Sequence, residues 1–248
     1  MKIDVKGCYS PNYELKPVSM YKLDLNGKNV YLELGYGNSK KVDLESLEGS
    51  YIIISHNHID HAYGLVGLLK RLKKNNIKLK SKIKVYMPKF SENSILYKSL
   101  AKDVEYLDIT YISESLKFTI GEYAISFVST LHIGETYGVK FTNTITGKTF
   151  VYTSDLAEVT ENLVEFSKNA DVLLIESGHP VYFQPFTLGK YHGYTRHLLR
   201  DIICANPHKI FLTHFKTYAS DKRFEKWYPK TEIPIELIRL NKEYNLDI

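Results

Sequence analysis

The sequence predicts an α/β fold, a four-layer αβ/βα sandwich in which two sheets pack together and helices cover their outer faces. Two observations carry this prediction. Strand-type segments group into two halves of the chain, each with its own helical segments, which differs from a single alternating βα array. Histidine and aspartate side chains follow apolar strands in both halves. We expect one domain that spans residues 1–248.

The first half opens with a hairpin and continues with a buried strand and a helix. Tyr21–Leu25 and Asn29–Leu34 flank Asn26-Gly27, a dipeptide favoured in type I′ turns. Tyr51–Ser55 is a short apolar run, which is typical of a buried strand. Leucines at helical spacing predict a helix over Ala62–Lys74. A strand at Ile83–Met87 and a helix at Ser91–Leu100 follow.

The second half is again rich in strands, which alternate or run apolar and are separated by turn residues. Strands are predicted at Leu116–Ile120, Tyr123–Leu131, Gly138–Asn143, Thr149–Thr153 and Asp171–Glu176, with a last one at Lys209–Thr213. Helices are predicted at Glu158–Lys168 and Thr195–Cys204.

The composition excludes several classes of protein. With 44% apolar and 13% aromatic residues, the chain is not intrinsically disordered. No apolar run approaches the roughly 18 residues that a membrane helix needs, so we expect no membrane partner. The first ten residues lack the apolar core of a signal peptide. Two cysteines are too few for a disulfide framework, and we therefore expect a cytoplasmic protein.

Basic residues cluster in the stretch from residue 70 to residue 89, which contains no acidic side chain. The stretch fits an anionic partner, either nucleic acid or a phosphate-bearing substrate. It also fits a solvated helix end and loop. Because the arginine forks that read nucleic acid are scarce here, the second interpretation is favoured and nucleic acid remains a possible partner that is not favoured.

The chemistry concentrates in the segment from His56 to His61, directly after a predicted buried strand. At a strand end, His56 and His58 point to the same side, so both imidazoles can reach one metal ion. Asp60 and His61 follow on the turn into the helix and can reach a second position. Two metal ions about 3.5–4 Å apart would serve one bridging hydroxide and one substrate oxygen.

Three more residues of ligand type follow predicted strands elsewhere in the chain. They are His132, Asp155 and His214. One histidine at a strand end is more often a hydrogen-bonded structural residue than a ligand. Seven ligand-type residues, all at carboxyl ends of apolar strands, are hard to explain in that way.

These residues carry a resemblance to the metallo-β-lactamase superfamily. The HxHxDH motif of the superfamily matches His56, His58, Asp60 and His61 in full, and the resemblance covers nearly the whole chain. It implies that His56, His58 and His132 hold one metal ion, that Asp60, His61 and His214 hold the other, and that Asp155 bridges them. Glu33 stands where the family usually has Asp, so support for the histidine loop is expected to differ in detail.

Several branches of the superfamily can be weighed by residues. Zinc β-lactamases usually lack the last histidine of the motif and use a cysteine ligand where Asp155 stands. Flavo-diiron proteins usually carry an acidic residue at the position of His58. Glyoxalase-type thioesterases share the ligands but usually add a helical extension that this chain is too short to hold. Lactonases share the ligands and stay open.

A further segment resembles the ribonuclease Z and phosphodiesterase branch. Residues Ala170–Glu176 are similar to a strand of that branch, and His192-Gly193-Tyr194-Thr195 is similar to its HLT/HST motif. The resemblance implies that His192 approaches the scissile phosphate as a general acid or charge stabiliser and that Glu176 orients it. Ribonuclease Z usually carries a long exosite arm between the counterparts of His132 and Asp155. Residues 133–154 suffice for one hairpin, which favours a smaller phosphodiester.

The function predicted is that of a binuclear-metal-dependent hydrolase. Its substrate would be a small phosphodiester, such as a cyclic nucleotide or cyclic sugar phosphate, or a short oligonucleotide, attacked by a metal-bridging hydroxide. We predict that Asp60, His192 and Glu176 are catalytic residues.

Two divalent ions are expected, with Zn²⁺ favoured by imidazole-rich ligation and Mn²⁺ or Fe²⁺ also fitting. Two alternatives stay open: an acyl hydrolase (lactonase or thioesterase) on the same metals, and a non-catalytic metal-binding regulatory protein. A homodimer is a further expectation from the resemblance.

Overall fold

The structure is a computed structural model that describes residues 1–11, 17–92, 94–102, 104–177, 192–215 and 228–248. The chain divides into two compact units. The first unit comprises Met1–Ile112 and Leu240–Asn245, and the second comprises Ser113–Arg239 and Leu246–Ile248. Each unit contains one mixed sheet. The single domain over residues 1–248 stays a prediction.

The sheet of the first unit has the described strand order β14-β1-β2-β3-β4-β5-β6. The pairs from β14 to β3 are antiparallel, and those from β3 to β6 are parallel. Its strands are β1 (Lys2–Gly7), β2 (Met20–Leu25), β3 (Lys28–Leu32), β4 (Tyr51–Ile53), β5 (Ile83–Met87), β6 (Leu107–Tyr111) and β14 (Glu243–Asn245).

The sheet of the second unit also has one antiparallel part and one parallel part. Its described order is β13-β12-β11-β10-β9-β8-β7, antiparallel from β7 to β10 and parallel from β10 to β13. Its strands are β7 (Phe118–Ile120), β8 (Tyr123–Ser129), β9 (Tyr137–Asn143), β10 (Thr149–Tyr152), β11 (Val172–Glu176), β12 (Ile210–Thr213) and β13 (Ile235–Leu237).

The described α-helices are short, and each buries at least one apolar side chain. They are α1 (Ile59–Ala62), α2 (Gly64–Lys74), α3 (Ile95–Leu100), α4 (Glu161–Phe166) and α5 (Thr195–Ile202). In α2, Leu65, Leu68 and Leu72 lie in one cluster with Ile52 of β4 and Val85 of β5, so the helix covers a face of the first sheet. The spacing of these leucines at three and four residues is the reason that one helix face can enter the core.

The predicted hairpin is confirmed, together with its turn. Asn26 and Gly27 between β2 and β3 have φ of 51° and 84°, which is the pair of positive values that a type I′ turn requires. The backbone N–H of Gly27 also donates to Asp24 Oδ1 over 2.7 Å. This turn sets the register in which Leu25 pairs with Lys28.

The prediction that Lys209–Thr213 is the last strand of the chain is wrong. The strand exists as β12, but β13 and β14 follow it. Each is three residues long, which is too short to show the alternation from which a strand is recognised. β14 pairs with β1, a contact between distant parts of the chain that local patterns do not reveal.

Residues 133–154 form one hairpin, as their number predicts. They contain β9 and β10, which pair antiparallel from Thr142 and Thr149 onward. No arm extends from this interval, all of which the structure describes.

The basic stretch at residues 70–89 covers the end of α2, the following loop and β5. Arg71 has a structural role, because its Nη1 donates to the carbonyl oxygen of Val42 over 3.0 Å and also to that of Ser39. The lysines of the loop, such as Lys78, Lys80 and Lys82, are exposed.

No helix in the described part of the chain is both long enough and apolar enough to span a bilayer.

Gly7 is the position where the first sheet tolerates a side chain least. A Cβ there would lie 1.7 Å from the carbonyl oxygen of Val18. We expect Gly7→Ala to lower the free energy of unfolding by about 3 kcal/mol, because backbone on both sides would have to move. Gly121→Ala is the control: its Cβ meets open space and only the positive φ of 57° is strained, for about 1 kcal/mol. Urea unfolding measures both, and equal losses would contradict the steric argument.

Candidate metal centre

The ligand-type residues of the first unit lie at the carboxyl ends of two parallel strands. Glu33 follows β3 directly, and the segment from Ser55 to His61 follows β4, which pairs with β3. Carboxyl ends of neighbouring parallel strands meet at one edge of a sheet, which is where open α/β sheets place their binding sites. The parallel register therefore brings a carboxylate of one strand end to the histidines of the next.

Three imidazoles of the first unit are packed together. The ring centroid of His56 lies 4.5 Å from that of His58 and 4.2 Å from that of His61. His56 and His61 are fully buried, whereas His58 is half-buried. Asp60 lies beside them, with Oδ2 3.3 Å from His61 Nε2. The structure thus brings together all four residues of the HxHxDH motif.

Glu33 supports this cluster from β3. Its Oε1 lies 3.4 Å from His61 Nδ1, and its Oε2 accepts a hydrogen bond from the backbone N–H of Ser55 over 3.2 Å. The carboxylate is completely buried. A carboxylate beside the second nitrogen of a histidine orients the ring and selects the nitrogen that can bind a metal ion.

The loop after β3 is clamped to the histidine loop through the backbone. Leu34 N–H donates to His61 O over 2.7 Å, and Tyr36 N–H donates to Ile59 O over 2.9 Å. Gly35 permits this approach, since a Cβ there would lie 2.1 Å from the carbonyl oxygen of Asp60. The position of the ligand loop is therefore fixed by main-chain contacts.

The second unit has its own cluster around Asp155. This carboxylate follows β10, and one of its oxygens lies 3.5 Å from His214 Nδ1 after β12. Its other oxygen lies 3.9 Å from His132 Nε2 after β8 and 3.9 Å from His192 Nδ1. Asp155, His132 and His214 are buried, so their charges and dipoles face one another instead of water.

His192 and Glu176 are in direct contact. His192 Nδ1 and Glu176 Oε2 form a hydrogen bond of 2.9 Å, and the same oxygen lies 3.5 Å from His214 Nδ1. The side chain of His192 is 14% exposed, compared with 1% for Glu176. Gly193 lets the segment pack closely, because a Cβ there would lie 2.6 Å from the carbonyl oxygen of Ala157.

Both ligand clusters contain non-glycine residues whose φ is positive, in the left-handed region. Among the described residues, eight non-glycine residues have positive φ, and five of these are asparagines, which tolerate that region. The other three are Glu33, Ser154 and His214, with φ of 62°, 59° and 57°. All three stand at or beside ligand-type residues at strand ends. Such strain persists where surrounding structure imposes it, and it is typical of functional sites.

The donor sets suit divalent metal ions. In the second unit, oxygens of Asp155 lie 3.9 Å from His132 Nε2 and 3.5 Å from His214 Nδ1, and all three side chains are buried. The first unit offers buried imidazoles and a carboxylate. Imidazole nitrogen and carboxylate oxygen are ligands of Zn²⁺ and of other first-row metal ions.

Two supporting side chains were not predicted from the sequence. Ser55 Oγ lies 2.9 Å from His56 Nδ1, and Thr130 Oγ1 donates to the carbonyl oxygen of Asp155 over 3.1 Å. The first is adjacent to its partner in sequence and could have been suspected. The second joins residues 25 apart, and no local pattern signals it.

A family model described as a β-lactamase superfamily domain matches residues 40–215. Its range includes every predicted ligand from His56 to His214 and both residues of the His192–Glu176 pair.

Comparison with individual proteins gives distant matches. The chain is 25% identical over 239 residues to mitochondrial ribonuclease Z 2 of Schizosaccharomyces pombe, covering 88% of this chain and 34% of that protein. The chain therefore spans about a third of the length of this relative. Among solved structures, human short-form tRNase Z superposes with a TM-score of 0.72 at 16% identity, covering 100% of both chains. A diphosphatase of the PhnP family gives a TM-score of 0.76 at 14% identity, covering 100% of this chain and 98% of that one.

The contact between Glu33 and His61 predicts an effect on metal affinity. We expect Glu33→Gln to bind Zn²⁺ about 10–100-fold more weakly, because the neutral amide no longer orients and polarises the imidazole. Competition with a chelator of known affinity measures this. Glu165→Gln is the control, since Glu165 of α4 is 75% exposed and pairs with Lys168 beyond the end of that helix. Parent-level affinity in Glu33→Gln would contradict the role of this carboxylate.

Proposed function

Because this chain belongs to the β-lactamase superfamily, we propose that it is a phosphodiesterase acting on a small phosphodiester or a short nucleic-acid substrate. The predicted resemblance, the α/β fold class with two mixed sheets, and the prediction of a metal-dependent hydrolase are confirmed at the level of the family. The substrate and the number of metal ions belong to the proposal. The observation that carries it is the His192–Glu176 hydrogen bond beside Asp155.

In this proposal the seven predicted ligands, from His56 to His214, bind two divalent ions. The first ion would be held by His56, His58 and His132, and the second by Asp60, His61 and His214, with Asp155 shared. Such a pair of ions, when bound, lowers the pKa of a water molecule towards neutrality and neutralises charge on the phosphate. Imidazole-rich ligation favours Zn²⁺.

The residues of the chain then have separate tasks. Glu176 accepts the hydrogen bond of His192 Nδ1 and holds the imidazole in one orientation. Nε2 of the same ring carries the proton that passes to the leaving oxygen of the phosphodiester. Of the histidines in this cluster, His192 has a more exposed side chain than His132 or His214, as contact with a substrate requires.

The hairpin at residues 133–154 supports a small substrate. It fills the whole interval between His132 and Asp155. The Schizosaccharomyces pombe relative is named as a ribonuclease Z, which supports a phosphodiester of nucleic-acid type. A short oligonucleotide or a cyclic nucleotide satisfies both observations.

The role of His192 is tested with phosphodiesters of increasing leaving-group pKa. On a poor leaving group, we expect His192→Ala to lower kcat by about 10²–10⁴-fold, the usual contribution of a general acid. The loss should shrink with p-nitrophenolate, which needs little protonation. Glu176→Gln should lose less, because it only loosens the orientation of the ring. Steady-state rates of the Zn²⁺-loaded proteins give these values.

Metal content separates the possible outcomes of this test. Elemental analysis of His192→Ala should match the parent, since His192 is proposed to act on substrate and not on metal. Loss of metal would instead make His192 a ligand. A different outcome is that His192→Ala hydrolyses the ester with the poor leaving group at the parent rate, and that the protein hydrolyses lactones or thioesters. Those two results together would contradict the phosphodiesterase proposal and support an acyl hydrolase.

A further inference from the structure

Exposed apolar side chains concentrate on the loops that carry candidate ligands. Among the described residues, seven large hydrophobic side chains are exposed. Four of them are on ligand loops or bonded to one: Tyr36, Ile59, Leu131 and Ile133. Ile59 stands between His58 and Asp60, and Leu131 and Ile133 flank His132. Apolar surface left exposed around polar ligands is a mark of a binding site.

Tyr36 is the aromatic member of this group and is 69% exposed, with Ile59 beside it at 49%. Its backbone N–H donates to Ile59 O, within the histidine loop, over 2.9 Å. The backbone on both sides of it is also hydrogen-bonded: Gly35 N–H donates to Ser19 O over 3.0 Å, and Asn38 N–H donates to Gly35 O over 3.1 Å. The side chain is thus carried into solvent on a backbone that cannot easily rearrange.

The aromatic ring contributes little to the fold. The clamp is made by the main chain, and it would persist with any small or polar residue at position 36. Exposing a ring on a rigid loop has a clear advantage for binding, because little conformational freedom is lost when a ligand packs on it.

We propose that Tyr36 determines substrate specificity by stacking on the base of a nucleoside-containing phosphodiester, with Ile59 covering the edge of the base. Bases stack on aromatic side chains because every base has a flat π-face. A cyclic sugar phosphate or a glycerol phosphodiester has no such face. This inference rests on the proposed phosphodiesterase function and narrows its substrate to nucleotides.

Two esters with the same leaving group isolate the contribution of the nucleoside. Thymidine 5′-(p-nitrophenyl phosphate) carries a base, and methyl p-nitrophenyl phosphate does not. We expect the parent to prefer the thymidine ester, and the ratio of the two kcat/KM values to fall about tenfold in Tyr36→Ala, as loss of one stacking contact implies. Tyr36→Phe should keep the ratio, because it retains the ring.

Ile145→Ala is the matched control. Ile145 is 72% exposed, but it lies in the turn between β9 and β10, at the opposite end of β10 from Asp155. Its substitution should leave the ratio at the parent value. Calorimetric titration with thymidine 5′-monophosphate provides a second readout, and Tyr36→Ala should bind about tenfold more weakly.

The outcomes distinguish this inference from the function on which it rests. If the parent hydrolyses both esters and Tyr36→Ala keeps the parent ratio, stacking is overturned and the phosphodiesterase stands. If the parent hydrolyses neither ester, the phosphodiesterase falls, and the calorimetric comparison decides whether Tyr36 binds a base. Equal affinity of parent and Tyr36→Ala there would overturn the inference as well.

Discussion

The burial of imidazoles and carboxylates at the carboxyl ends of strands is the constraint on which the rest of this structure depends. A buried charge is costly unless it is paired or bound to a metal ion. His61 lies between Asp60 and Glu33, and His214 lies against both Asp155 and Glu176. These contacts between imidazoles and carboxylates offset the cost of burying polar groups beside apolar strands. They also leave each cluster with the nitrogen and oxygen donors that metal ions prefer.

The sheets accommodate these clusters through their mixed topology. In each sheet, antiparallel strands give way to parallel strands, and Glu33, Asp155 and Glu176 end or follow strands in parallel pairs. Because parallel strands all end on one side, a short turn after each strand is enough to bring its polar side chain to its neighbours. The left-handed residues Ser154 and His214 show what this geometry demands of the backbone.

The sequence predicted features whose signals are local. The spacing from His56 to His61, the Asn26-Gly27 turn and the leucine face of α2 each lie within a dozen residues, and each agrees with the structure. Two features that depend on pairing between distant segments were missed. β14 forms by pairing with β1, and Thr130 reaches the carbonyl oxygen of Asp155 through the fold. The exposure of Tyr36 likewise follows from packing of its neighbours and has no sequence signal.

We propose that the seven predicted ligands, from His56 to His214, bind two metal ions. Anomalous diffraction from crystals of the Zn²⁺-loaded protein, measured at the zinc absorption edge, tests it most directly. The account predicts two anomalous peaks about 3.5–4 Å apart, with Asp155 in contact with both and with histidine nitrogens at about 2.0–2.1 Å. A single peak, or peaks whose ligands all come from one cluster, would contradict it.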